Sequence, residues 1–202
     1  MLSVNIIVAS LIAGIATADP VAMSPRADCS TIFSGYLAAN ATGNVLKTFT
    51  ENAENQVAYL GDGKNPIQVD FQECESLESG EPVNSGKSGV IYVPLYAKCI
   101  SITNQENAAG PYYTSLADCA ARDYAQRWNL DEANSNVIRW AGDSDEEGTI
   151  LQGGCGLLGY ASDDTGVPTI TDSNSQINIV CGGTPLRLSS TAQRCSDIFI
   201  ST

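Results

Sequence analysis

Short runs of residues with β-strand character recur along this chain, separated by clusters of glycine, asparagine and serine. The runs are QVAYL (56–60), IQVDF (67–71), GVIYVPLY (89–96), CISIT (99–103), YYTSL (112–116), NVIRW (136–140), GTIL (148–151), PTIT (168–171) and INIVC (177–181). Long amphipathic helical periods are hard to find. The pattern predicts an all-β domain, and its many short strands fit either a sandwich or a closed barrel.

Internal repetition bears on that choice. A Gly-x-Leu/Ile element occurs at Gly35, Gly89 and Gly148, and each is followed by a second short strand. Each unit then closes on a strand that ends in a cysteine, at Cys74, Cys119 and Cys181. Three units of similar order predict pseudo-threefold symmetry.

The middle unit carries a recognisable pattern. Gly89, the pair Lys98-Cys99, the segment LADC ending at Cys119, and then Gln126-Arg127-Trp128 resemble one repeat of a ricin B-type (QxW) β-trefoil lectin. The resemblance is best over about residues 88–130 and weaker over 33–75 and 136–181, and the whole chain is similar to the small secreted ricin B-like proteins of fungi. It implies a β-trefoil, in which three four-stranded units close a six-stranded barrel capped by three hairpins.

The N-terminal residues predict export. Residues 1–18 form a mostly apolar run that ends in Ala16-Thr17-Ala18, as a secretory signal does, and 19–28 make a short segment before a single domain over 29–202. We therefore expect an extracellular protein. The sequon Asn40-Ala41-Thr42 predicts a glycan on Asn40 in a surface loop.

Charge and composition narrow the partners. The net charge of -13 disfavours nucleic acid and membrane surfaces as partners. The family resemblance implies a carbohydrate as the partner, with a protein as the alternative. The chain has no histidine and no CxxC pair, so we expect no metal and no cofactor. No pattern specifies the oligomeric state.

The resemblance also implies a disulfide framework. If the units superpose, Cys99 pairs with Cys119 and Cys155 with Cys181, while Cys29 and Cys195 lie near trefoil termini that meet in space and form a third bond. Cys74 is then left over, as a buried free thiol or, less simply, as one half of an intermolecular bond.

The family's sugar site is not matched, although its scaffold is. By resemblance, Gln126 and Trp128 support the fold, through turn hydrogen bonds and core packing. The acidic, aromatic and amide groups that would hold galactose are replaced by Ser101, Ala117 and Ala125. Tyr112, Tyr113 and Tyr124 remain as a candidate non-standard aromatic platform, although strand tyrosines commonly serve packing.

Two acidic motifs are better interpreted as turns. GDSDEEGTI (142–150) resembles a calcium-binding EF-hand loop, but Gly154 stands where the bidentate glutamate belongs, which leaves weak calcium binding as a minor alternative. The triplet Asp164-Thr165-Gly166 within DDTG (163–166) occurs once, whereas an aspartic protease needs two such aspartates.

These observations favour a secreted, non-enzymatic ricin B-like protein that binds carbohydrate through a non-standard site. A trefoil that binds protein through its loops, such as a secreted protease inhibitor or effector, is the alternative. A surface or matrix protein without a pocket is a third possibility, and an enzyme ranks last. Fold alone does not decide among them, because function depends on individual sites.

Overall fold

A computed structural model describes residues 28–62, 64–77, 86–106, 109–120, 123–143, 147 and 158–191. Within those ranges the regular elements are strands and three short 3₁₀ turns. The strands are β1 (Cys29–Ala41), β2 (Val45–Thr48), β3 (Thr50–Glu51), β4 (Val57–Ala58), β5 (Gln68–Cys74), β6 (Lys87–Val93), β7 (Lys98–Ile102), β8 (Thr114–Ala117), β9 (Trp128–Asp131), β10 (Val137–Trp140), β11 (Leu158–Tyr160), β12 (Ile179–Cys181) and β13 (Leu186–Ser189). The 3₁₀ turns are Thr42–Asn44, Glu75–Leu77 and Tyr124–Gln126.

Six of these strands close into an antiparallel barrel. β1 pairs with β5, β5 with β6, β6 with β9, β9 with β10, β10 with β13, and β13 again with β1. Each barrel strand therefore has a hydrogen-bonded neighbour on both sides, and closure removes the exposed edges that an open sheet would present.

Additional strands extend three of the barrel strands. β2 folds back on β1, the hairpin of β7 and β8 continues from β6, and the hairpin of β11 and β12 continues from β10. β3 and β4 form a separate two-stranded sheet between β2 and β5.

The core fills the barrel with side chains that alternate along the strands. In β5, Val69 and Phe71 are fully buried while Gln68 faces solvent, which is the two-residue period of a strand with one face inward. Trp128 and Trp140 lie opposite each other in the β9–β10 pair, and both are buried. Such large side chains remove much apolar area from water, which is the main favourable term in folding.

Two glycines allow the barrel strands to approach closely. A Cβ atom at Gly89 would lie 2.0 Å from the backbone oxygen of Gln72, and one at Gly35 would lie 2.4 Å from that of Ser189. Any larger residue would push β6 from β5, or β1 from β13. The repeated glycines at these two positions thus have a packing cause, while Gly148 lies outside the described residues.

The structure confirms the predicted all-β class and the choice of a barrel over a sandwich. The last barrel strand is β13, beyond residue 181, and Cys181 lies on the hairpin strand β12. The segments 1–18 and 19–27 lie outside the described residues, and among those described no helix is long and apolar enough to span a membrane.

The disulfide pattern agrees with the sequence in one bond and differs in another. Cys99 is bonded to Cys119, as predicted. Cys29 is bonded to Cys74, so the predicted bond between Cys29 and Cys195 is wrong and Cys74 is not a free thiol. Two disulfide bonds indicate an oxidising environment.

The register of the barrel explains the correction. β1 begins at Cys29 and pairs antiparallel with β5, which ends at Cys74, so the two cysteines are direct partners in the ladder. Their Cα atoms are 4.1 Å apart. Cys74 ends a barrel strand whereas Cys119 follows a hairpin strand, so the two are not equivalent positions.

Of the predicted bond between Cys155 and Cys181, only Cys181 lies in the described part of the chain. Cys181 is an exposed free cysteine. Cys155 and Cys195, the other residues of the predicted framework, lie outside the described residues.

Candidate functional site

The three tyrosines singled out in the sequence lie in different environments. Tyr112 is buried and packs against Trp140, with ring centroids 5.8 Å apart. Tyr113 is half-buried, with its backbone N–H directed to the hydroxyl of Thr103. Tyr124 is 46% exposed, and the guanidinium of Arg127 lies 5.8 Å from its ring centroid. Because Tyr112 belongs to the core, these tyrosines do not make one open platform for a ligand.

Gln126 and Trp128 are occupied by structural contacts. The amide of Gln126 donates to the backbone oxygen of Asp118 at 2.9 Å and accepts from the backbone N–H of Ala120 at 3.0 Å. The indole N–H of Trp128 donates to the backbone oxygen of Ile100 at 3.0 Å. Both side chains are buried, so neither faces a ligand.

The positions that would hold sugar in the resembled family carry small side chains that are buried or half-buried here. Ser101 and Ala125 are buried, and Ala117 is half-buried in its pairing with Cys99. A serine and two alanines supply neither the charge nor the stacking face that sugar recognition needs.

The DDTG segment (163–166) forms a turn that is hydrogen-bonded by Asp163, the residue before the Asp-Thr-Gly triplet. The Asp163 carboxylate accepts from the backbone N–H groups of Thr165 at 2.8 Å and Val167 at 3.0 Å, and from the Thr165 hydroxyl at 2.7 Å. These bonds, led by the hydroxyl, lower the pKa of Asp163 from its ordinary value of 3.8. The carboxylate therefore stabilises its own turn, as an Asx turn does.

The other acidic motif lies mostly outside the described residues, with only Asp143 and Glu147 of its acids placed. Among the residues that the structure describes, no group of acidic or cysteine side chains could hold a metal ion.

A groove of about 640 Å³ opens between the barrel and the β6–β7 turn. This volume falls within the range typical of small-molecule sites. The groove is lined by Tyr36, Thr50, Glu51, Asn65, Pro66, Ile67, Gln68, Val93, Pro94, Leu95 and Tyr96.

One wall of the groove is the tight turn between β6 and β7. The N–H groups of Tyr96 and Ala97 bond to the carbonyls of Val93 and Pro94, at 3.2 and 3.3 Å. Ala97 adopts a left-handed conformation, with φ of 52°, which lets the chain reverse direction. The turn leaves Leu95 80% exposed and Tyr96 41% exposed, so two large side chains face solvent without a packing cause.

The floor and opposite wall are held by the barrel. Ile67 is buried and donates its backbone N–H to the carbonyl of Phe49 at 2.7 Å. Tyr36 on β1 lies directly opposite Gln68 on β5 in the ladder, which sets an aromatic ring beside an exposed amide. Rigid strands therefore position one side of the groove, whereas a turn supplies the other.

A tyrosine and a glutamate form the polar part of the groove. The neighbouring Glu51 carboxylate, which can accept from the Tyr96 hydroxyl, raises the pKa of Tyr96 from its ordinary value of 10.0. Glu51 is fixed by the pairing of β3 with β4, where it lies opposite Val57. Two aromatic rings, one carboxylate and two amides thus surround one cavity.

A smaller recess of about 230 Å³ lies beside Asn40 and includes Arg187. Asn40 is exposed, but it lies on β1 and not in a loop as predicted. The guanidinium of Arg187 donates to the backbone oxygens of Asn134 and Ser135, at 3.3 and 3.1 Å. Arg187 thus uses some of its N–H donors to stabilise the turn between β9 and β10.

The sequence analysis missed the groove because GVIYVPLY was treated as one continuous strand. The structure ends β6 at Val93 and turns the chain over Pro94, Leu95 and Tyr96. The available signal was Pro94, because a proline marks the end of a paired strand. A comparison with models of known protein families finds no match, and a comparison with curated proteins finds no similar chain.

Proposed function

We propose that this chain is a secreted, non-enzymatic ricin B-like β-trefoil that binds carbohydrate through the groove between Tyr36 and Tyr96. The observation that carries the proposal is the composition of that groove. Sugars offer C–H faces that pack on aromatic rings, and hydroxyls that need directed hydrogen bonds. Tyr36 and Tyr96 supply rings, and Glu51, Asn65 and Gln68 supply polar atoms.

The strand order supports the trefoil part of the proposal. β1, β6 and β10 are barrel strands that each continue into additional strands, and β5, β9 and β13 are barrel strands that return from them. A trefoil has this alternation three times. Secretion is supported by the disulfide bonds and by the apolar run at residues 1–18.

The test is saccharide binding by wild-type protein and two matched variants. A glycan array identifies a ligand, and calorimetry then measures its Kd. Tyr96→Ala should weaken binding by at least about fivefold, since an aromatic contact is worth about 1 kcal/mol beyond the area that it buries. Tyr124→Ala removes a similarly exposed tyrosine that does not line the groove, and it should leave the Kd unchanged.

Two outcomes would contradict carbohydrate binding at this groove. One is an array without signal for the folded wild-type protein. The other is equal loss of affinity in Tyr96→Ala and Tyr124→Ala, which would assign the binding to a different surface.

One observation favours protein binding as the second candidate. Leu95 is 80% exposed at the tip of a tight turn, a position suited to enter a pocket on a partner protein. Inhibition assays against serine and cysteine proteases test this alternative. Inhibition that is lost in Leu95→Asp and kept in Leu60→Asp, which changes another exposed leucine, would support it.

A further inference from the structure

The groove carries a negative charge at Glu51, which bears on the class of ligand that it would bind. Glu51 is the one charged side chain among the lining residues, and the rest are aromatic, apolar or neutral polar. Exposed Lys64 is adjacent in sequence to the rim but does not line the groove. Lys47 does not line the groove either, and its ammonium donates to both carboxylate oxygens of Asp62, at 2.9 and 2.7 Å.

The carboxylate of Glu51 retains capacity for a ligand. An ionised carboxylate is an acceptor with about four lone-pair sites, more than the Tyr96 hydroxyl beside it in the groove can occupy. Glu51 is half-buried, so its charge is screened less than that of a fully exposed acid. Glu51 thus offers both hydrogen-bond acceptors and a negative charge, and a positively charged ligand group that donates hydrogen bonds would fit it.

The charge of the whole chain acts in the same direction. The net charge of -13 attracts cationic ligands and repels anionic ones at long range. A saccharide with carboxylate or sulfate groups would therefore meet repulsion on approach and an unfavourable contact at Glu51.

We propose that Glu51 makes the groove selective for saccharides that carry free amines, in preference to N-acetylated and acidic ones. This inference rests on the proposed carbohydrate site. It adds a specificity-determining residue and a ligand class: oligosaccharides of amino sugars whose ammonium group lies against Glu51, with a ring on Tyr96.

The experiment uses calorimetry to compare binding of three tetrasaccharides, which are tetramers of glucosamine, of N-acetylglucosamine and of galacturonate. Wild-type protein should bind the glucosamine tetramer at least about tenfold more tightly than the N-acetylated one, the difference between a charged and a neutral hydrogen bond. The galacturonate tetramer should not bind. The preference should shrink as salt is raised, because the contact is electrostatic.

Variants separate the groove from the general acidity of the surface. Glu51→Gln keeps the acceptor for Tyr96 and removes the charge, and it should abolish the preference while retaining the N-acetylated ligand. Glu132→Gln removes one exposed charge from the turn between β9 and β10 and should leave the preference intact. Tyr96→Phe keeps the charge of Glu51 and should also keep the preference, which provides a second measurement if Glu51→Gln fails to fold.

The outcomes separate the amine selectivity assigned to Glu51 from carbohydrate binding at the groove. Equal binding of amine and N-acetyl tetramers that is lost in Tyr96→Ala would overturn the role of Glu51 and keep the carbohydrate site. Equal effects of Glu51→Gln and Glu132→Gln would also overturn it. Absence of binding by all three ligands, together with an array without signal, would overturn both.

Discussion

The bond between Cys29 and Cys74 leads to a quantitative prediction about stability. The bond joins residues 45 apart, and the bond between Cys99 and Cys119 joins residues 20 apart. In the chain-entropy description, closing loops of these lengths in the unfolded chain gives about 4 kcal/mol and about 3 kcal/mol of stabilisation respectively. Either value is a large share of the roughly 5–15 kcal/mol by which a domain is stable.

The perturbation is a double-mutant cycle with Cys29→Ala, Cys74→Ala and the double variant. Each single change breaks the same bond, so each should lower the free energy of unfolding by about 4 kcal/mol. The double variant should lose about the same amount and not twice as much. Alanine is chosen because Cys74 is fully buried and alanine adds no polar group that would lack a partner.

The assay is equilibrium unfolding in urea, with the free energy taken from the midpoint and slope of each transition. Cys99→Ala with Cys119→Ala is the matched control, and it should cost about 3 kcal/mol through the shorter loop. Peptide mapping without reduction should recover the Cys29 and Cys74 peptides linked together.

Additive losses in the two single variants would refute the reasoning, because independent sites add whereas partners in one bond do not. A peptide linking Cys29 to Cys195 would refute the assignment itself. A loss below about 1 kcal/mol for the double variant would contradict the loop-length argument.

Three further predictions concern packing and charge. Trp128→Phe should cost about 2 kcal/mol in urea unfolding, because the Ile100 carbonyl loses its buried donor. Gly89→Ala should cost about 1–3 kcal/mol, since its Cβ would meet the Gln72 backbone, and the near-neutral result expected of a loop glycine would contradict this. Asp163 has a lowered pKa, so its stabilisation should be present above its ordinary value of 3.8 and lost as pH falls through the lower folded value. The difference in the free energy of unfolding between wild type and Asp163→Asn should therefore shrink in acid. A difference that does not change with pH would contradict this prediction.

The sequence predicts the class of fold well because the barrel depends on local alternation. Runs such as IQVDF and INIVC coincide with β5 and β12, since burying one face of a strand requires apolar residues at every second position. The resemblance to a QxW repeat predicts a folding role for Trp128, whose indole is buried and donates to the Ile100 carbonyl.

The pairing of Cys29 was missed because it depends on where β1 begins. Superposing the units by their terminal cysteines leaves Cys74 without a partner, whereas the antiparallel register of β1 and β5 makes it the direct partner of Cys29. Register is a property of two strands together and cannot be read from the spacing of cysteines in one.

The candidate site was missed for a related reason. Tyr36, Glu51 and Tyr96 are far apart in sequence and belong to three different elements, so no short motif contains them. Tyr112, Tyr113 and Tyr124 are close together in sequence and suggest an aromatic platform, but the first of them is buried in the core.

The pairing of β13 with β1 affects how the chain can fold while it is being made. β1 begins at residue 29, and its partner β13 ends at residue 189. One side of β1 therefore stays without a strand until almost the whole domain has left the ribosome. During that interval the nascent chain presents an open strand edge that can pair with another chain. Cys29 and Cys74 are both synthesised well before β13, so their bond can fix β1 against β5 early and limit the exposed backbone to a single edge.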